Sequence, residues 1–373
     1  MKLEPFLMER WQSTWENVVE YNLSESGVHP MRVDELLSDA EAAGALLKTP
    51  LAYTQSNGTM ELRSRIAAMY PGSTIENIQV TNGSSEANFV CIWSLVEPGD
   101  EVVLMLPNYM QIWGIVRGFG GAIKPFHLRE EQGWVPDLDE LRKAVNSHTR
   151  LIAICNPNNP TGAILNDTEI REICEIAGSV GAWILADEVY LGSERSGRTS
   201  TSFWGHYDRI IVNHGLSKAY GLPGLRIGWI VAPAQLLSRT WMHHDYITIS
   251  PGALSDALAQ VALAPGRREQ ILERTRNICR HNYPILAKWV VDHGDLFELI
   301  PPKAGAIAYM KYRLPINSTA LVERIRREKS VLVVAGDHFG MDNYLRIGYG
   351  PEPDYLKEGL NRIDEVLRTC APE

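Results

Sequence analysis

The chain has few of the features that mark secreted, membrane or disulfide-stabilised proteins. Its five cysteines are odd in number for 373 residues, are widely scattered and form no C-x-x-C pair, so we expect reduced thiols rather than a disulfide framework. No uncharged apolar run is long enough to cross a bilayer. Charges interrupt the apolar residues of the first ten positions, which argues against a secretory signal peptide. We therefore expect a cytoplasmic protein with no membrane partner.

Positive charge is also scarce. The 36 Lys and Arg residues are outnumbered by 45 Asp and Glu residues, giving a net charge of −9, and no basic tract stands out. Binding to a nucleic-acid backbone depends on clustered Lys and Arg, so no nucleic-acid partner is expected.

Several ligand-binding motifs are missing as well. No G-x-G-x-x-G follows the first strand, and neither a phosphate-binding G-x-x-x-x-G-K-[ST] loop nor a G-x-S-x-G nucleophile elbow occurs. The cluster His243-His244-Asp245 lacks further ligands at metal spacing. We predict no metal site and assign this cluster to a loop or a subunit contact.

Short apolar strands alternate with helical segments through the first two thirds of the chain. This alternation predicts an α/β domain with a largely parallel, buried sheet flanked by helices. The helix at residues 168–180 is expected to be capped by Thr168. The predicted strands cover residues 77–80, 101–106, 122–128, 150–155, 183–186, 209–213 and 227–231.

Beyond about Ser255 the pattern changes to longer helices and isolated strands. Helices are predicted at residues 256–263, 267–292 and 354–368, and strands at 306–311, 331–334 and 344–348. These elements indicate a smaller α+β domain. We place the large, cofactor-binding domain at residues 35–255 and the small domain at residues 1–34 together with 256–373.

Polar segments follow four of the predicted strands. They are Gly83-Ser84-Ser85, residues 156–162, residues 187–190 and residues 214–218. In doubly wound sheets, ligands bind outside the carboxyl ends of the strands. The shared placement therefore predicts a single site.

Lys218 is the most informative residue of these segments. Ser217 precedes it and Arg226 follows within a glycine-punctuated stretch, so an amine, a hydroxyl and a guanidinium are close in sequence. A lysine that attacks a carbonyl needs a cationic or desolvating environment to lower its pKa, and Arg226 could also hold a phosphate. The pattern suggests a Schiff-base lysine in a pyridoxal-phosphate site, although a Ser-Lys pair alone is more often a solvated lysine.

The other candidates each have a functional and a structural interpretation. Asp187 ends an apolar strand and is either a structural carboxylate or the partner of a protonated pyridine nitrogen, with Tyr190 close by. Gly83-Ser84-Ser85 opens a helix and is either an anion site or a polar cap. Tyr109 either stacks on a cofactor ring or fills the core. Arg346, between apolar neighbours, binds a substrate carboxylate or an internal acid.

Taken together, the motifs around Asn159-Pro160-Thr161-Gly162, Asp187, Tyr190 and Ser217-Lys218, with Gly-Leu-Arg226-Ile-Gly, resemble those of the class I/II aminotransferases, which are fold-type I pyridoxal-phosphate enzymes. The resemblance extends from about Tyr53 to Gly350. It implies the fold-type I architecture, pyridoxal 5'-phosphate as cofactor and a small amino acid as substrate. The expected reaction is transamination through an external aldimine and a quinonoid.

The resemblance also implies residue roles. Lys218 would form the Schiff base and move the proton, Asp187 would hold the pyridinium nitrogen, and Asn159 and Tyr190 would contact the phenolic oxygen. Further cofactor contacts and the substrate contact would come from Gly83, Ser84, Ser85, Ser217 and Arg226 at the phosphate, Tyr109 on the ring and Arg346 at the α-carboxylate. Tyr53 resembles a tyrosine that reaches the phosphate of the neighbouring subunit, which implies a homodimer with a shared active site.

Two positions depart from the family pattern. Gly215 stands where Ser or Thr is usual, so one phosphate hydroxyl is missing. The segment Ser26-Gly27-Val28-His29 resembles the natural-product branch that includes capreomycidine synthase and lincosamide-pathway enzymes that process S-conjugated cysteine, which makes Gly27 and His29 candidate substrate contacts. β-Elimination, cyclisation and decarboxylation-coupled oxidative deamination therefore remain alternatives to transamination, and a non-catalytic pyridoxal-phosphate-binding regulator is the alternative of another class.

Overall fold

The computed structural model describes residues 2–37 and 40–370. The α-helices are α1 Leu7–Trp15, α2 Val33–Leu36, α3 Ala40–Leu47, α4 Met60–Ala67, α5 Ser84–Leu95, α6 Gln111–Gly118, α7 Leu138–Ala144, α8 Asp167–Val180, α9 Ala234–His244, α10 Ala253–Ala262, α11 Arg267–Asp292, α12 Ser318–Lys329 and α13 Pro353–Leu367. The strands are β1 Tyr21–Asn22, β2 Ile78–Thr81, β3 Glu101–Leu106, β4 Ala122–Arg129, β5 Val135–Pro136, β6 Thr149–Cys155, β7 Trp183–Asp187, β8 Ile210–Gly215, β9 Gly228–Val231, β10 Phe297–Leu299, β11 Ile307–Tyr312, β12 Val331–Leu332, β13 Val334–Ala335 and β14 Tyr344–Gly348.

Eight strands form the large sheet, in the order β2-β9-β8-β7-β6-β3-β4-β5. The five central strands from β8 to β4 are mutually parallel, whereas β9 is antiparallel to both of its neighbours. All six residues of β8 are buried, as are six of the seven in β6, because a parallel sheet is covered on both faces. The predicted α/β class with a mostly parallel sheet is confirmed.

A second, antiparallel sheet of four strands has the order β10-β11-β14-β13. Its core includes buried residues of α11, α12 and α13. The N-terminal segment packs against this part of the molecule: β1 pairs with β12, and the indole of Trp11 donates a hydrogen bond to the carbonyl of Val333. The predicted smaller α+β unit is therefore present, while the division at residues 34/35 and 255/256 stays a prediction.

Some local predictions are wrong. Asn166, not Thr168, caps α8: its side chain accepts hydrogen bonds from the N–H groups of Thr168 and Glu169. The strand predicted at residues 331–334 divides into β12 and β13, which belong to different sheets. His243 and His244 end helix α9 rather than lying in a loop, and buried His244 bonds to Glu86.

Among the described residues, no helix is long and apolar enough to cross a membrane. All five cysteines are free thiols, and four of them are buried.

Candidate functional site

A cavity of about 520 Å³ lies at the carboxyl ends of the central parallel strands. Cys155 ends β6 and Asp187 ends β7, and both line the cavity. Helix α1 and the following N-terminal segment supply another wall. The remaining lining residues are Phe6, Met8, Glu9, Gln12, Glu16, Glu25, Ser26, Ser84, Ser85, Tyr109, Gln111, Asn159, Val189, Tyr190, Ser217, Lys218, Pro223 and Arg226.

The carboxylate of Asp187 is buried at this cavity and accepts two hydrogen bonds from the described residues. One oxygen accepts a hydrogen bond from the Asn88 amide at 3.1 Å, and the other from the Val189 N–H at 3.2 Å. Burial raises the pKa of Asp187, and these two hydrogen bonds oppose the rise. A buried carboxylate without a cation gains most from a positively charged ligand atom placed beside it.

The amine of Lys218 lies in the same cavity and contacts Glu25. Their Nζ and Oε1 atoms are 2.5 Å apart. Burial alone would raise the pKa of Glu25, but the Lys218 ammonium, the Gly27 N–H and the Arg346 charge outweigh it and hold the pKa at about 2. The reactive amine predicted from the sequence is thus held by a carboxylate that the sequence analysis did not single out.

An anion cradle is formed where helix α5 begins. The first N–H groups of a helix have no intrahelical partner, and Gly83 in front of α5 provides no side-chain cap. Gly83 has a φ of +85°, and a Cβ at this position would overlap the guanidinium of Arg226. Arg226 Nη1 also lies 3.4 Å from the Ser217 hydroxyl oxygen. Free N–H groups, a hydroxyl and a guanidinium in one place suit a phosphate.

Asn159 and Tyr190 line another side of the cavity, and Arg346 lies next to Asn159 without lining the cavity itself. Arg346 is 1% exposed and donates hydrogen bonds to Asn159 Oδ1 at 3.0 Å and to the Ser24 carbonyl at 2.6 Å. Its Nε has no hydrogen-bond partner among the residues described. Burial lowers the pKa of Arg346, so a carboxylate ligand would compensate an unfavourably buried charge.

The two tyrosines predicted at the site both line the cavity. The hydroxyl of Tyr190 donates to the Ser26 hydroxyl at 2.8 Å, and burial raises the Tyr190 pKa. The hydroxyl of Tyr109 donates to Glu9 at 2.7 Å, and its ring packs edge-on against Phe6. Both rings are therefore positioned by the N-terminal segment.

Five predicted residues are not among those lining the cavity: Gly83 and Arg346, which adjoin the lining residues Arg226 and Asn159, and Tyr53, His29 and Gly27. The side chain of Tyr53 is 84% exposed. His29 bonds to the Gly350 carbonyl and pairs with Glu352, in a separate surface groove. Gly27 lies close behind the wall, since a Cβ there would contact the Lys218 side chain.

Sequence reasoning missed the residues of the N-terminal wall and Asn88. One signal was available: Glu9, Gln12 and Glu16 are spaced i, i+3 and i+7, which places them on one face of a helix. No such signal identifies Glu25 or Asn88, because each lies far along the chain from its partner. Within the described ranges, no cluster of three or more His, Cys, Asp or Glu residues could hold a metal.

Comparisons with known proteins agree with this geometry. A family model described as aminotransferase class I and II matches residues 33–363. The chain is 32% identical to capreomycidine synthase of Streptomyces vinaceus, over 99% of this chain and 94% of that protein. It is 28% identical to an aspartate aminotransferase of Streptomyces avermitilis, over 84% and 81% of the two chains. A solved PLP-dependent aminotransferase from Streptococcus suis superposes with a TM-score of 0.93 at 34% identity and covers 100% of both chains.

Proposed function

The chain belongs to the class I and II aminotransferases, which are pyridoxal-phosphate enzymes acting on small amino acids, and on that premise we propose that it transaminates an amino acid in the cavity around Lys218. The observation that carries the proposal is the joint presence of the Lys218 amine and the buried Asp187 carboxylate in one cavity beside the α5 anion cradle.

The residues present fit the cofactor. The first turn of α5, Ser217 and Arg226 would hold its phosphate, while Asp187, which forms no ion pair within the described ranges, would pair with the ring nitrogen. Asn159 and Tyr190 would orient the phenolic oxygen, and Tyr109 would lie against the ring. Gly215 offers no hydroxyl to the phosphate, and a side chain at this position would crowd the carbonyl of Ile227.

Bound there, the protonated pyridine ring draws electrons away from the α-carbon of the amino acid. Arg346 would bind the α-carboxylate in a charge-assisted, two-pronged interaction and so fix the orientation of the substrate. Lys218 Nζ would take the proton from the α-carbon and return it elsewhere. Glu25 would remain beside this amine as a fixed negative charge. The wall formed by α1 and the following segment limits the access of water.

The finer proposal for partners is a homodimer with a shared active site. Apolar side chains are exposed on two adjacent segments, and the Thr54 hydroxyl donates to the Pro251 carbonyl between them. Asn82, next to the cradle, bonds to Thr248 in the second segment. A second copy covering this surface would therefore reach the mouth of the cavity. The exposed side chains are Leu47, Leu51, Tyr53, Met60, Trp241, Met242, Tyr246, Ile247, Ile249 and Leu254.

The similarity to capreomycidine synthase favours a second candidate reaction. The candidate reactions are β-elimination, cyclisation and decarboxylation-coupled oxidative deamination of a specialised amino acid or an S-conjugated cysteine, and the last of these would require an external oxidant such as dioxygen. A non-catalytic regulatory role receives no support, because the family and the relatives named above are enzymes.

The decisive experiment follows the absorption of the cofactor bound to the purified protein. A panel of amino acids is added with and without 2-oxoglutarate, and products are identified by mass spectrometry. Transamination predicts bleaching of the bound-cofactor band and a keto acid, with turnover only when an acceptor is present. Lys218→Ala should lose both the band and turnover, whereas the exposed Lys143→Ala should keep both. Multiple turnovers without any acceptor would overturn transamination in favour of the second candidate.

A further inference from the structure

Helix α1 directs carboxylates into the cavity. Glu9 lies in its first turn and Glu16 directly follows its last residue, Trp15. They are seven residues apart, which corresponds to two helical turns and about 10 Å along the helix axis. Both residues line the cavity, and so does Gln12, which lies between them. The polar face of α1 is thus turned toward the substrate space.

The Glu16 carboxylate has no hydrogen-bond or ion-pair partner in the described part of the chain. Partial burial and repulsion from Glu25 and Glu9 raise its pKa. Its position at the C-terminal end of α1 is also unfavourable for a negative charge, because the helix dipole is negative there. The Lys218 charge opposes this rise in pKa only in part, so the net effect of the surroundings disfavours the ionised carboxylate.

The cavity carries no spare cation that could neutralise these groups. Lys218 and Arg226 are the only lysine and arginine that line it among the described residues, and the proposed function commits both to the cofactor. Glu9 accepts a hydrogen bond from the neutral Tyr109 hydroxyl and forms no ion pair with another described residue. A ligand can supply the missing positive charge.

An independent observation indicates where a negatively charged group of the ligand would bind. The Nε of Arg346, on a side chain that is 1% exposed, has no partner among the described atoms. Arg346 contacts Met8 and Asn159, which both line the cavity. The site therefore has a positive charge at Arg346 and carboxylates without an ion pair among the described residues at Glu9 and Glu16 along α1.

We propose that Glu16, assisted by Glu9 and the field of Glu25, binds a cationic group at the end of the substrate side chain. The preferred substrates are then basic amino acids that carry an ammonium or guanidinium group, and dicarboxylic amino acids are disfavoured. This inference rests on the proposed function, because it assumes that an amino acid occupies the cavity.

The test compares substrates that differ in charge but little in shape, using the cofactor-loaded enzyme. L-Lysine is compared with L-norleucine, and L-arginine with L-citrulline, by the rate and the amino-acid concentration dependence of bleaching of the bound-cofactor band. The cationic member of each pair should be favoured by about tenfold to a hundredfold in kcat/KM, the range of a charge-assisted hydrogen bond.

Variants identify the residue responsible. Glu16→Gln keeps the size of the side chain and should move the lysine-to-norleucine ratio toward one, mainly through KM. Glu16→Lys should raise the relative rate with L-glutamate. Glu131→Gln removes an exposed carboxylate outside the cavity and should leave every ratio unchanged.

The outcomes separate the two proposals. Bleaching by neutral and basic amino acids with equal efficiency would overturn the substrate assignment and leave the proposed function intact. An unchanged lysine-to-norleucine ratio in folded, cofactor-loaded Glu16→Gln would also overturn it. No bleaching by any amino acid of a wider panel would instead refute the proposed function.

Discussion

The guanidinium of Arg346 donates a hydrogen bond of 3.0 Å to the amide oxygen of Asn159. Arg346 lies on β14 of the small sheet, and Asn159 lies in the loop that follows β6 of the large sheet. The same guanidinium bonds to the Ser24 carbonyl in the N-terminal segment. Three separate parts of the chain thus meet at the proposed carboxylate-binding group, so its position depends on how they pack together.

Replacing Gly83 by alanine should weaken cofactor binding. Gly83 has a φ of +85°, and the new Cβ would overlap the Arg226 guanidinium, so the proposed phosphate cradle has to distort. We expect a Kd for pyridoxal 5'-phosphate that is tenfold or more higher, measured by absorbance titration of the apoprotein.

Gly72→Ala is the matched control for this variant. Gly72 has a φ of +76° and open space around a Cβ, so it carries a similar backbone penalty of about 1–2 kcal/mol without the clash. Both variants should lose stability, but only Gly83→Ala should lose cofactor affinity. Equal affinities for the two would disprove the cradle.

Asp187→Asn should separate cofactor retention from turnover. The amide keeps the shape of the carboxylate but removes its charge, so a protonated ring nitrogen is no longer stabilised. We expect turnover to fall on the order of 10²–10³-fold, the usual effect of losing one electrostatic contact at a reacting centre, with the bound-cofactor band still present. The exposed Asp208→Asn serves as control. Wild-type turnover in Asp187→Asn would remove this residue from the mechanism.

Mixing two defective chains should restore activity if Tyr53 acts across subunits. Its side chain is 84% exposed and does not line the cavity of its own chain. In a heterodimer of Lys218→Ala and Tyr53→Ala chains, one of the two sites would receive both intact residues, so random mixing should give about one quarter of wild-type activity. Activity no higher than that of the unmixed chains would place Tyr53 outside the partner's site.

Glu188 should make the protein less stable as the pH rises. Burial raises its pKa from the usual 4.5 to about 8, the Phe203 N–H and the Ser202 hydroxyl oppose the rise, and repulsion from Asp187 and Glu194 adds to it. Between these two values the folded chain holds a proton that the unfolded chain has released. The free energy of unfolding therefore falls with rising pH, on the order of 1 kcal/mol per pH unit, and levels off above about pH 8.

Glu188→Gln should flatten this part of the pH profile. The amide does not titrate and can still accept the Phe203 N–H bond that Glu188 accepts now. Thermal melts of wild type and variant from about pH 5 to about pH 9 measure the difference, with Glu131→Gln as an exposed control. Parallel profiles for wild type and Glu188→Gln would show that Glu188 does not titrate in this window.

Seven of the eight strands of the large sheet could be predicted from the sequence with small errors at their ends, whereas the two-residue edge strand β5 was missed. The buried strands of this sheet are short apolar runs separated by glycine, proline and polar residues, and these signals are local. The capping of α8 was misassigned because Asn166 and Thr168 are both acceptable caps, and only the backbone geometry decides between them. The strand at residues 331–334 could not be divided from sequence, since β12 and β13 pair with different strands.

The sequence by itself determined which residues we propose to carry the chemistry, among them Lys218, Asp187 and Arg226, and their order along an α/β chain, because these depend on local patterns. Only the tertiary structure decided what surrounds them. Glu25 reaches Lys218 across 193 residues of sequence, and α1 turns Glu9 and Glu16 into the cavity rather than toward solvent. Burial and electrostatic fields are set by long-range packing, which no local pattern records.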